Sequence, residues 1–88
     1  MKVVTINGNG HDQFDVAIHK VGCPAAKRDI IKDGFPRDFF VEEAESKREH
    51  WLEYNADFID EDGEDSAWPM HFHPCTAGLP EGGEYGQA

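Results

Sequence analysis

Eighty-eight residues make one domain, and a domain of this size buries only roughly 60–65% of its unfolded surface, so its core must be thin. Six Phe, two Trp and two Tyr are enough for a packed core and exclude wholesale disorder, while no stretch approaches the ~20 apolar residues of a membrane span. All eight Lys and Arg lie within residues 1–48, where eight Asp and Glu match them, and residues 49–88 carry the other ten acids alone, so the net charge of −10 belongs to the second half; such a field repels nucleic acid and anionic membrane and attracts basic partners.

Lys2-Val3-Val4-Thr5-Ile6 is rich in β-branched residues and predicts a strand. Asn7-Gly8-Asn9-Gly10 is a turn signal, because Asn and Gly tolerate positive φ. Phe14, Val16 and Ile18 then alternate with Asp15, Ala17 and His19, which predicts a second strand over 14–21 and a hairpin with the first. Gly22-Cys23-Pro24 ends it, and Pro24 suits the first turn of a helix. Residues 25–32 read as a short helix, with Ile30 and Ile31 inward, Cys23 at or near the N-cap and Gly34 as C-cap. From Pro36 or Asp38 onward, Phe40, Val41, Ala44, Arg48, Trp51, Leu52, Asn55, Phe58 and Ile59 recur at three- and four-residue spacing, opposite Glu42, Glu43, Glu45, Lys47, Glu49 and Glu53. That pattern predicts one amphipathic helix of about 20 residues, roughly 30 Å long, with an aromatic stripe in the core. If the stripe were exposed, it would favour a homodimer.

The acidic run Asp60-Glu61-Asp62-Gly63-Glu64-Asp65 opposes the helix dipole and should end the helix. Residues 70–76 read as a last short strand, at an edge because Pro74 lacks a ladder donor. Residues 79–88 read as a flexible tail beyond a single domain over 1–78. The expected fold is α+β: a small antiparallel sheet of about three strands packed against one short and one long helix.

His71, His73 and Cys75 fall on alternate residues, which in a strand share one face. His19 and Cys23 form a second pair upstream, so the chain holds five candidate donors for the four positions of a tetrahedral zinc. If the fold joins the pairs, the chain has a Cys–Cys contact or a metal site, and His19, Cys23, His73 and Cys75 are the expected ligands of a small zinc-binding structural domain; otherwise the cysteines are small buried hydrophobes and the histidines surface residues. His11 and His50 have no sequence partners and are expected at the surface. Cys23 near a helix N-terminus would have a lowered pKa, with His19 or His73 as a base, yet no third orienting residue is visible, so a catalytic role is not expected. The N-terminus lacks a signal-peptide core, which predicts a cytoplasmic chain with reduced thiols.

The segments His19-Lys20-Val21-Gly22-Cys23 with Lys27-Arg28-Asp29, and Trp68-Pro69-Met70-His71-Phe72-His73-Pro74-Cys75-Thr76 with Leu79-Pro80, resemble small accessory proteins of actinobacteriophages, mycobacteriophage-like ones among them. The resemblance implies an accessory product acting in the cytoplasm of a bacterial host and transfers no catalytic residue. With the charge split, it leads to a non-enzymatic protein that binds and modulates a basic host protein without a cofactor. The expected contact is Glu49, Glu53, Asp57, Asp60, Glu61, Asp62, Glu64 and Asp65, with Trp68 as aromatic anchor. Direct nucleic-acid binding and membrane insertion are not expected; mimicry of nucleic acid is a special case of the same surface.

Overall fold

The computed structural model describes residues 1–7, 16–31 and 36–85. The chain is α+β, with a four-stranded sheet and three helices among the described residues. Strands β1 (Lys2–Ile6) and β2 (Val16–Lys20) pair antiparallel, Thr5 opposite Ile18 and Val4 opposite His19, as a hairpin requires. The sheet order is β3-β1-β2-β4, with β3 (Phe39–Glu43) antiparallel to β1 and β4 (Met70–Phe72) parallel to β2. The sheet is therefore mixed rather than antiparallel. A parallel neighbour needs a long crossover, and the helices between β3 and β4 supply it.

Strand parity sorts the side chains onto two faces. Val3, Val16, Ile18 and Met70 point to the face covered by α2 (Lys47–Tyr54), and with Ala44, Trp51 and Leu79 they form the main core. Val4, Ile6 and Ala17 point to the other face, where α1 (Pro24–Ile30) packs Ala26 and Ile30 against them. Because both faces are covered, Val16, Ala17, Ile18 and His19 are all buried, and the inward–outward alternation expected of β2 is not seen. Ile30 is half-buried, but Ile31, which follows the helix as its C-cap, is 60% exposed. Phe14 and Gly34 lie outside the described residues.

The single long helix is replaced by three elements. Phe39-Phe40-Val41-Glu42-Glu43 is the edge strand β3, with Phe39, Phe40 and Val41 exposed. Ser46 starts α2, its side chain accepting from the Glu49 amide at 3.1 Å, and Glu49 stands three residues on, as in a capping box. Asn55 separates α2 from α3 (Ala56–Asp62), and α3 continues through Asp60-Glu61-Asp62 before it ends at Gly63, inside the acidic run expected to stop it. The Asn55 amide group donates to Trp51 O and Trp68 O and accepts from the Trp68 amide, so the break is a tied corner. Trp51 and Asn55 are buried, as the stripe predicts, whereas Phe58 is largely exposed and stacks on Trp68.

Residues 79–85 fold back. Leu79 is buried, and Pro80 O and Glu81 O accept from the Lys47 and Arg48 amides, two of the donors that the first turn of α2 cannot satisfy itself. Gly82 sits at φ +74° against Ser46, where a Cβ would strike the Ser46 hydroxyl, so this contact requires glycine. Tyr85 then packs edge-on against Phe72. His50 is buried rather than at the surface, and His11 lies outside the described residues.

Candidate metal centre

His19 is the fourth residue of β2 and faces α1, where it is fully buried. Lys20 to Cys23 form a tight turn closed by Cys23 N–H to Lys20 O at 3.0 Å. Gly22 is its third residue at φ +92°, a position of a type II turn that disfavours any side chain. That turn swings Cys23 back toward His19, and Cys23 becomes the N-cap of α1, as the sequence suggested.

The second pair arrives by another route. β4 ends at Phe72, and the His73 amide donates to Ile18 O at 3.0 Å, which fixes His73 beside the end of β2. Pro74–Thr76 then form one 3-10 turn. Within it the Cys75 amide donates to His73 Nδ1 at 3.1 Å, leaving His73 Nε2 as the free ring nitrogen. The pair thus meets through a helical turn and not through strand alternation. Strand parity instead puts His71 opposite Ala17 on an exposed position, outside the cluster.

Donor atoms of His19, Cys23, His73 and Cys75 all lie within 4.8 Å of one another. A tetrahedral zinc with bonds of about 2.0–2.3 Å holds its donors ~3.3–3.8 Å apart, so side-chain adjustments of about an ångström close the shell. His19 Nδ1 is 3.8 Å from Cys75 Sγ, and the His19 and His73 ring centroids are 4.6 Å apart. The support around these atoms suits ligation. His19 Nε2 contacts Asp29 Oδ2 at 2.5 Å, so a carboxylate orients the ring with Nδ1 toward the thiols. The Lys20 amide donates to Cys75 Sγ at 3.2 Å, a contact that favours thiolate. The hydrogen bond from His19 is the main influence holding the Cys23 thiol below its ordinary value, while burial pushes the Cys75 thiol up. Both cysteines are free, and a cleft of about 310 Å³ lined by Ala25, Arg28, Asp29 and His73 opens beside them.

Two thiolates and two imidazoles fill a tetrahedral shell and neutralise Zn²⁺, leaving no open position; this is the donor set of structural zinc. The residues present therefore fit the metal. Asp29 supplies the third orienting group that sequence reasoning missed; its signal was the spacing from Cys23 that places it late on the same short helix.

The acidic residues expected at a partner surface lie elsewhere. Glu49 and Glu53 are exposed on α2, Asp57, Asp60, Glu61 and Asp62 on α3, and Glu64 and Asp65 on the following turn, where Glu64 pairs with Arg48 at 3.0 Å. Trp68 is half-buried, stacked on Phe58 and packed against the main core. Among the described residues no helix is long and apolar enough to cross a membrane. No protein-family model, curated protein or solved structure matches the chain, so the site is read from its own geometry.

Proposed function

We propose that the chain is a small zinc-stabilised domain in which His19, Cys23, His73 and Cys75 hold one Zn²⁺. The observation that supports this is the convergence of four donors, two soft and two borderline, within 4.8 Å of one another. Metal would then join the end of β2 to the turn after β4, where a three-residue strand supplies little pairing of its own. Native mass spectrometry of chelator-free protein given one equivalent of zinc tests the reading. A mass excess of one zinc per chain, lost on denaturation and absent from Cys75→Ser, is expected; a bare wild-type mass overturns it.

A second reading concerns the surface. The unbroken exposure of residues 60–65 supports a non-enzymatic role in which this acidic turn docks a basic host protein. Reversing the charges of Asp60, Glu61, Asp62 and Asp65 to Lys should abolish salt-sensitive binding to a basic partner while leaving zinc content unchanged. Equal binding by the reversed and native chains would sink this reading without touching the first.

A further inference from the structure

A second group of donors lies on the opposite face of the sheet. His50 and Glu53 are three residues apart on α2 and so share one side of it. Glu42 of β3 sits opposite Val3, on the sheet face that α2 covers. One ligand atom from each of Glu42, His50 and Glu53 lies within 4.8 Å of the others.

The imidazole is the informative member. His50 is 1% exposed, and Thr5 Oγ1 stands 2.8 Å from its Nε2. Its Nδ1 is 2.8 Å from Glu42 Oε1, an ion-pair contact, yet this buried nitrogen makes no hydrogen bond. A buried ring nitrogen that faces a carboxylate without hydrogen-bonding to it is costly, and native folds rarely keep such a group without a use. Nδ1 faces the half-buried Glu42 carboxylate, and a ligand atom of the exposed Glu53 lies within 4.8 Å of the other two residues' donors.

We infer that Glu42, His50 and Glu53 form a second, open metal site that takes a divalent cation accepting mixed nitrogen and oxygen donors, such as Mn²⁺ or Zn²⁺. Nδ1 would supply the nitrogen and each glutamate one oxygen, with solvent completing the shell from the exposed side of Glu53. Thr5 would accept the Nε2 proton and fix the tautomer, as outer partners of ligating histidines do. The local electrostatics agree. Burial pushes His50 down, keeping it neutral, and burial followed by the charge of Glu53 pushes Glu42 up, a penalty that a bound cation relieves.

The donor set separates this site from the thiol cluster, because Mn²⁺ prefers carboxylate and imidazole to thiolate. The test is a Mn²⁺ titration of the full chain, preloaded with one equivalent of zinc, followed by NMR. Paramagnetic broadening should centre on the His50 ring and the Thr5 and Glu42 amides. Glu53→Gln, a change at an exposed position that leaves the core untouched, should weaken Mn²⁺ binding at least tenfold without altering the zinc equivalent. Broadening centred on residues 60–65, or binding equal in Glu53→Gln and wild type, overturns the inference.

Discussion

Stripping the proposed zinc from the folded chain with a chelator should lower its unfolding midpoint by roughly 15–30 °C. A ligand held at a thousand times its Kd stabilises the state it binds by about 4 kcal/mol, and in a domain of this size each kcal/mol moves Tm by roughly 4–8 °C. Cys75→Ser should behave like the stripped protein and fail to respond to added zinc. The effect has a defined pH dependence. Zinc displaces protons from both thiols, so below the ordinary thiol value of 9.0 the unfolded chain binds more protons than the loaded one. Stability due to the metal therefore rises with pH and falls on acidification, by about 1.4 kcal/mol per thiol per pH unit. Differential scanning calorimetry at pH 6, 7 and 8, with and without chelator, measures both effects. Identical midpoints with and without zinc would remove the metal from the folding energetics.

Trp51→Ala should cost about 3–5 kcal/mol. Trp51 is 4% exposed and packs among Val3, Val16, Ile18, Met70 and Leu79, so truncation opens a cavity between α2 and the sheet. Its indole N–H donates to Trp68 O at 3.0 Å, but that carbonyl also accepts from Asn55 at 3.2 Å and is not orphaned. The cavity is thus the dominant loss. A chain of 88 residues has roughly 4–13 kcal/mol of total stability, so the variant should be close to unfolding without metal. Urea denaturation should also show a smaller loss for Trp68→Ala, whose side chain is only half-buried. A loss below about 1 kcal/mol for Trp51→Ala would contradict the packing of α2 on the sheet.

The cluster of His19, Cys23, His73 and Cys75 could be read from the sequence because its four residues are chemically conspicuous, and Gly22 and Pro74 mark where the chain turns beside each pair. The path that joins them could not. Alternation put His71 with His73, yet β4 stops at Phe72 and a 3-10 turn carries His73 and Cys75 inward. The misread long helix has a similar origin. Phe40, Val41 and Ala44 fit helical spacing, and the pairing of Phe39–Glu43 with β1 overrides it. The deciding local signal, Ser46-Lys47-Arg48-Glu49 as a capping box, places the helix start after residue 46. His50 looked like a surface residue because its partners, Thr5 and Glu42, come from strands distant in sequence. The return of Leu79 and Tyr85 to the core was hidden by the glycines around them, whose composition matches that of a loose tail.

The parallel pairing of β4 with β2 has a kinetic consequence. This edge closes the largest detour in the chain and does so with three residues, so it should be the slowest piece to dock and the readiest to detach. His73 and Cys75 leave with it. With zinc held there as proposed, its departure and the opening of this edge would be one event, and the zinc exchange rate would be a clock for the opening of the sheet, readable against amide exchange at His73.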